Sequence, residues 1–495
     1  MSHAGGTEPL CEIPLPPRRR RRRFWVGVVA LLFVAWLGTM YGFFVYWTDR
    51  ELREVVAATN RENPEGWLLE DIDAHREKIP DEENAALVVL NIKSLLPAGW
   101  PLKTGGADAS AETSWTLRFG SLPSEVVLDP DLLQNLQSSL AEVEPARAEA
   151  HKLIGMTRGR YPLVWAKDVF TTRINSQPAR TASNLLRFEA ALASQAGNAD
   201  QAVAFVRGLM GAARSVGDEP LLISALIRLA CNAEAVDALE RALAQGEPVN
   251  AELERMQALL EKEATEPFFT NAMRGERAAL QKMVVSLRQG DVGLSQFGGF
   301  TGKPGIAEKL MDFSGPTLAR RSHATMLRLL NEYVRVSRMP LEQQAPMLAN
   351  LNREVMKAKV EYDVVTAMLM PGIGKVAQSQ RRGVGNLRCA SVGMALERYR
   401  RDDGRWPDTL DALVPRYLAA VPTDPYDGKP LRYQRRPDGV VVYWVGEDGT
   451  DDGGKINRNQ VWTKGTDQGF QLWDVPRRRQ PARETLAMPM PEPMP

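Results

Sequence analysis

Apolar positions fall into three regimes along the chain. From Phe24 to Trp47, 24 consecutive residues carry no charge. As a helix this stretch reaches ~36 Å, enough to cross a ~30 Å hydrocarbon core with some tilt. From Thr181 to Glu263 apolar residues recur at the period of an amphipathic helix. Beyond Asp403 the pattern turns to short runs divided by glycine and proline, which predicts strands and tight turns.

Within the helical regime the breaks are as legible as the stripes. Leu185, Phe188 and Leu192 form a stripe that stops at Gly197-Asn198. Val203, Val206, Leu209, Met210 and Ala213 form the next, which stops at Gly217-Asp218. Pro220 opens a long helix with Leu222, Leu226, Leu229 and Ala233 inward, ended by Gly246. Turns this short predict antiparallel neighbours. Phe188, Ala191, Gly197, Ala202 and Phe205 faintly match the offsets of a tetratricopeptide unit, but a solenoid needs several copies and one is found. A plain bundle fits better. After a glycine-rich linker over 289–304, helices are predicted over 316–337, 340–370 and 375–401. The last carries Val392, Ala395, Leu396 and Tyr399 on one side and ends at Asp403-Gly404.

Between residues 51 and 180 the signals are mixed. Residues 51–59 continue the first helix until Asn63-Pro64 breaks it, and 67–78 reads as an amphipathic helix. Pro80 to Asn84 before Ala85 reads as a helix start. Residues 98–130, rich in Gly, Ser and Pro, read as loop with at most short strands. Near the other end a short helix is predicted over 408–413. Strands follow over 430–435, 440–445 and 469–475, the first two joined by a Pro437-Asp438-Gly439 hairpin.

A length of 495 residues implies two or three domains. The net charge of +1 hides an asymmetry: residues 1–23 contain six of the 62 basic residues and two of the 61 acidic ones, so the remainder is net −3. Such a body lacks the electrostatic footprint of a nucleic-acid binder. Cys11, Cys231 and Cys389 form no metal-ligand spacing; the latter two sit in helical patterns, where a small buried thiol is expected. Four histidines, His3, His75, His151 and His323, leave little for zinc or histidine-based hydrolysis. In Asp71-x-Asp73-x-His75 the middle carboxylate points away from the face the other two share, so a solvated face is expected. Gly298 to Pro304 fails the phosphate-loop pattern twice, with Phe297 for its first glycine and Pro304 for its Ser/Thr. There is no GxSxG and no HExxH.

Six arginines, Arg18 to Arg23, precede the apolar stretch, and Asp49, Arg50, Glu51 and Arg53 follow it with balanced charge. The positive-inside rule then places residues 1–23 in the cytoplasm and everything after Trp47 outside. The apolar run is too long for a signal-peptide core, which predicts an uncleaved single-pass anchor.

The C-terminal phrases carry a resemblance. Tyr399, Arg400, Asp402, Gly404, Trp406 and Pro407 are followed by Leu413-Val-Pro415, Tyr417-Leu418, Pro422, Asp424-Pro425-Tyr426 and Gly428, then by Gly446 to Gly449. In this order they resemble the globular head of the type II secretion major pseudopilins, over about 100 residues. The resemblance implies a long helix with a small antiparallel sheet and a calcium ion in the loop joining the last two strands. Asp448, Asp451, Asp452 and, beyond an insertion, Asp467 are the carboxylates able to offer it hard oxygen ligands, the alternative being an ordinary acidic, glycine-rich exposed turn. One departure matters. In that family the membrane span runs directly into the head helix, whereas here more than 300 residues intervene, and no Gly-Phe-Thr-x-x-Glu phrase precedes Phe24.

The expected architecture is therefore mainly α: an N-terminal transmembrane helix, a helical-bundle body and a small C-terminal α+β head of one long helix and a three-stranded antiparallel sheet. The expected divisions are a basic tail (1–23), the span (24–47), a mixed juxtamembrane region (48–180), the helical body (181–372), the head (373–476) and a disordered tail (477–495). The expected role is protein interaction rather than catalysis at the bacterial inner membrane, with lipid around 24–47, envelope proteins as partners and calcium as the cofactor. Two alternatives are a hydrolase within 60–370 and a subunit of the secretion machinery.

Overall fold

The structure is a computed structural model that describes residues 18–101, 109–162, 176–298, 305–360, 363–457 and 465–482. The chain divides into two compact units, Met1–Ala58 and Thr59–Pro495. The protein is mainly helical, with one long apolar helix near the N-terminus and a three-stranded antiparallel sheet near the C-terminus.

The first unit is built on helix α1 (Arg18–Glu62). Phe24, Trp25 and Val26 point in three directions around a helix, since successive residues are ~100° apart. All three are more than 60 % exposed. The apolar surface therefore surrounds the helix instead of forming a core-facing stripe. Among the described residues this is the one helix long and apolar enough to cross a membrane.

The second unit begins with short helices α2 (Leu69–Ala74), α3 (Ala85–Leu95), α4 (Ala109–Ser121), α5 (Pro130–Ala141) and α6 (Glu144–Ala150). The long helices of the body follow as α7 (Pro178–Gln195), α8 (Ala199–Arg214), α9 (Leu222–Gln245), α10 (Asn250–Thr265) and α11 (Phe268–Gln289). Then come α12 (Ile306–Ser337), α13 (Leu341–Val360), α14 (Val364–Leu369) and α15 (Pro371–Asp403). Side-chain caps start several of them: Asn84 accepts from the Ala86 N–H, Asp129 from Leu132 and Asn198 from Gln201. Gly404 ends α15 in the left-handed region at φ 75°. Helix α4 occupies part of the stretch expected as loop; Trp115 and Phe119, one turn apart, both pack on the ring of Phe188.

The sheet consists of β1 (Arg432–Arg436), β2 (Gly439–Trp444) and β3 (Gln468–Trp473), in that spatial order. Arg432 pairs with Tyr443 and Val442 with Phe470. The sheet rests on α15 at two glycines. A Cβ on Gly385 would stand 2.7 Å from the Trp444 indole nitrogen, and one on Gly393 2.7 Å from the Phe470 ring. Helix α15 itself packs between the sheet and α9 and α10.

One hydrophobic cluster runs from Ala85 through α7, α8 and α9 to Leu387, Leu396, Val442 and Leu472. Residues 373–476 thus share their core with helices more than a hundred residues earlier in sequence. A second cluster joins α11 and α12 to Val355, Val365 and Ile373. Cys231 and Cys389 are buried free thiols.

The end of the described chain differs from the disordered tail expected from residue 477. Arg478 is buried and donates to the carbonyls of Trp473 (3.0 Å) and Gly246 (2.8 Å). Arg479 donates to the carbonyls of Ser194 (2.7 Å) and Gln195 (2.9 Å). Two successive arginines thereby satisfy carbonyls at the C-terminal ends of α9 and α7, where helices leave acceptors unpaired and favour positive charge. Gln480 continues the docking, with its N–H on the Glu125 carbonyl at 2.7 Å. Residues 483–495 lie outside the described residues.

Candidate functional site

The turn-rich phrases of the C-terminal segment lock onto one another through polar contacts. Tyr417 donates its hydroxyl to Asp402 (2.7 Å), Trp406 its indole N–H to Asp474 (2.7 Å), and Tyr433 its hydroxyl to the Pro407 carbonyl (2.9 Å). Asp424 is fully buried and accepts from the N–H of Tyr426 (2.8 Å), the N–H of Val445 (3.0 Å) and the Arg432 guanidinium (2.8 Å).

Arg432 is the hub. It stands at the start of β1 and donates in three directions, to Asp424, Asp427 and Asp451. A planar guanidinium is suited to this because its donors spread as a rigid fork. The three contacts tie the 422–428 turn to the loop after β2.

That loop contains the four aspartates expected as ligands, and the structure divides them. Asp448 accepts from the N–H of Thr450 (3.1 Å) and of Gly465 (3.3 Å), holding the two sides of the loop together. Asp451 is turned to Arg432 (3.1 Å), the Tyr443 hydroxyl (3.1 Å) and the N–H of Gly453 (3.0 Å). Asp467 and Asp452 are the pair brought together. Asp467 is fully buried, and its Oδ2 accepts from the N–H of Asp452 (3.0 Å) and of Gly454 (2.7 Å). Its Oδ1, and Oδ2 of Asp452, are buried without a hydrogen-bond partner.

Unpaired buried carboxylate oxygens are costly. The electrostatics agree: burial first, and then the charges of Asp451 and Asp452, push the Asp467 carboxyl above its usual range, against the two main-chain N–H groups that favour the anion. Glycines at positive φ, Gly453 and Gly454, let the chain turn tightly here. If a hard cation binds here, the unpartnered oxygens of Asp452 and Asp467 are the carboxylates that would hold it. Among the described residues no three acidic, histidine or cysteine side chains converge to hold a metal ion. Of the four aspartates expected as ligands, the structure brings Asp452 and Asp467 together and turns Asp448 and Asp451 to other partners. Residues 458–464 of the loop lie outside the described residues.

Arg432, Asp424 and Tyr443 were not among the sequence candidates. The sign of their role is the strand register, which sets Arg432 opposite Tyr443. Elsewhere, the Asp71 side chain caps the N–H groups of Trp67 and Leu68 at 3.0 Å, while Asp73 pairs with Arg76.

Comparison of the chain with protein-family models, with curated proteins and with solved structures finds no match.

Proposed function

We propose that this chain is a single-pass protein of the bacterial cytoplasmic membrane. Residues 1–23 face the cytoplasm, 24–47 span the lipid, and the folded unit lies on the outer side, where it acts by binding envelope proteins. The observation that carries this reading is the apolar segment of α1, exposed around its whole circumference and preceded by six arginines. The binding surface is the pseudopilin-like C-terminal segment, with calcium at Asp452 and Asp467 ordering its loop. Support for that assignment comes from the resemblance of 397–454 and from the two unpartnered carboxylate oxygens.

Because α15 lies within the common core, deleting 373–476 would unfold the second unit and tests nothing about binding. Surface chemistry must be changed instead. The tagged full-length chain is cross-linked in cells and purified in calcium or in chelator, beside the double variant Asp452→Asn, Asp467→Asn. The reading expects specific envelope proteins to be recovered with the wild type and lost from the variant. Recovery no better than an untagged control, or identical recovery with the variant, overturns it.

A further inference from the structure

Between the outer edge of β3, helices α7 and α9, and the segment 119–125 lies a cleft of about 740 Å³. That volume is typical of small-molecule sites. Its lining is mixed in charge, with four acidic residues and four arginines. Glu240 accepts from the Ser124 hydroxyl (3.3 Å) and from the N–H of Gln471 (2.9 Å), which also seals the edge of β3 against another strand. Asp438 accepts from the Gln471 side chain (3.4 Å).

Two of the guanidiniums are the groups the ligand would meet. Arg241 is 8 % exposed and donates its two terminal nitrogens to the carbonyls of Pro123 (3.2 Å) and Val126 (2.9 Å). Its Nε is buried and has no partner. Arg187 lies 4.8 Å above the Phe119 ring, and its charge acts on the Glu234 carboxylate. Burial, and then the neighbouring charge of Arg187, lower the Arg241 pKa to about 10. Both guanidiniums line the cleft, and an anion bound there would add to the partial compensation that Glu234 gives Arg187 and Glu125 gives Arg241.

We propose that this cleft binds a small multivalent oxyanion, a molecule bearing phosphate or carboxylate groups, between Arg187 and Arg241. Arginine suits both groups because its fork matches their oxygens. The cation–π contact on Phe119 holds the Arg187 side chain in place before binding. The inference does not depend on the protein-binding role proposed above.

The test is calorimetric titration of the full-length chain in detergent micelles with pyrophosphate and, separately, with citrate, at ionic strength matched with chloride. Binding of one anion per chain by either probe is expected, and which probe binds tells phosphate from carboxylate recognition. Arg187→Gln should weaken it at least tenfold, with Arg187→Lys recovering part of the loss. Arg241→Gln should abolish it, and its thermal melt shows whether the fold survives. If it does not, Arg187→Gln, at a half-buried side chain, decides. Heat no greater than the chloride control for both probes, or wild-type binding by Arg187→Gln, overturns the proposal.

Discussion

Glu397 on α15 and Arg478, beyond the last strand, form a buried ion pair at 1 % and 6 % exposure. Arg400 shares the same carboxylate from one turn along the helix, at 2.8 Å. The pair ties the chain's final described residues to the helix under the sheet, while the other nitrogens of Arg478 reach the Trp473 and Gly246 carbonyls. Breaking a buried pair by removing one partner leaves the other charge uncompensated. A chain ending at Pro476 should therefore lose about 3–5 kcal/mol of stability, the scale of such a loss. A chain ending at Ala482 keeps the pair and should keep that contribution. Tryptophan-fluorescence melts of the two truncations check this.

Glu263 offers a second buried charge test. It is fully buried and accepts from Arg228 (2.7 and 2.8 Å), Arg214 (2.8 Å) and Asn232 (2.8 Å). Burial alone would raise its pKa; Arg228 and Arg214 outweigh burial and hold it below the usual carboxylate range. A depressed acid stabilises above its unfolded pKa and loses that contribution as pH falls through the folded value. Glu263→Gln strands the buried Arg228 guanidinium, while Arg214 keeps Glu266 at 2.7 Å, and should cost about 3–5 kcal/mol near neutral pH. The difference from wild type should shrink on acidification, read from urea unfolding at several pH values.

Glu219 should behave in the opposite sense. It is 3 % exposed, and its carboxylate oxygens lie out of reach of solvent. Burial pushes its carboxyl from 4.5 up to about 7, against the Ser224 hydroxyl and the attraction of Arg76. Between those values the native state holds more protons than the unfolded chain, so stability falls as pH rises through this window. Glu219→Gln should leave stability at pH 4 unchanged and raise it at pH 8 by roughly 3 kcal/mol. Melts of both proteins across that range check the sign.

The loop pair gives a ligand-linked prediction. In chelator, Asp467 carries a raised carboxyl pKa, so its ionisation opposes folding as pH rises above the unfolded carboxylate range. Calcium at ~100 times its dissociation constant should stabilise the second unit by ~2.7 kcal/mol. Asp467→Asn should abolish that response without lowering stability in chelator. Asp451→Asn, which loosens the contact with Arg432 and Tyr443, should lower stability in calcium and in chelator alike.

Much of the architecture was legible because local rules were not overruled. The stripes around Leu185, Val206 and Leu229 became α7, α8 and α9, and the glycine after Asp403 ends α15 as its position predicts. Helix α4 was missed because Gly, Ser and Pro dominate its surroundings, although the Trp115–Phe119 spacing carried the signal. The docking of 478–480 was not readable, because a run of arginines looks solvated until the helix ends it caps are known. For the same reason the division among Asp448, Asp451, Asp452 and Asp467 could not be read. Their spacing is local, while Arg432 and Tyr443, which take Asp451, are brought in by strand register. Nor did the sequence reveal that α15 belongs to the common core. Gly385 and Gly393 are the residues that allow it, and their meaning depends on Trp444 and Phe470 lying above them.

The membrane orientation of the chain can be read with cysteine labelling. Cys231 and Cys389 are buried, so Cys11 in the N-terminal tail and a cysteine placed at exposed Ala412 are the reporters. Spheroplasts expressing Ala412→Cys are treated with a membrane-impermeant maleimide before and after detergent. The account predicts that the Ala412→Cys thiol reacts from outside in intact spheroplasts, while Cys11 reacts only after the membrane is opened. Labelling of Cys11 with protection of the Ala412→Cys thiol would contradict it.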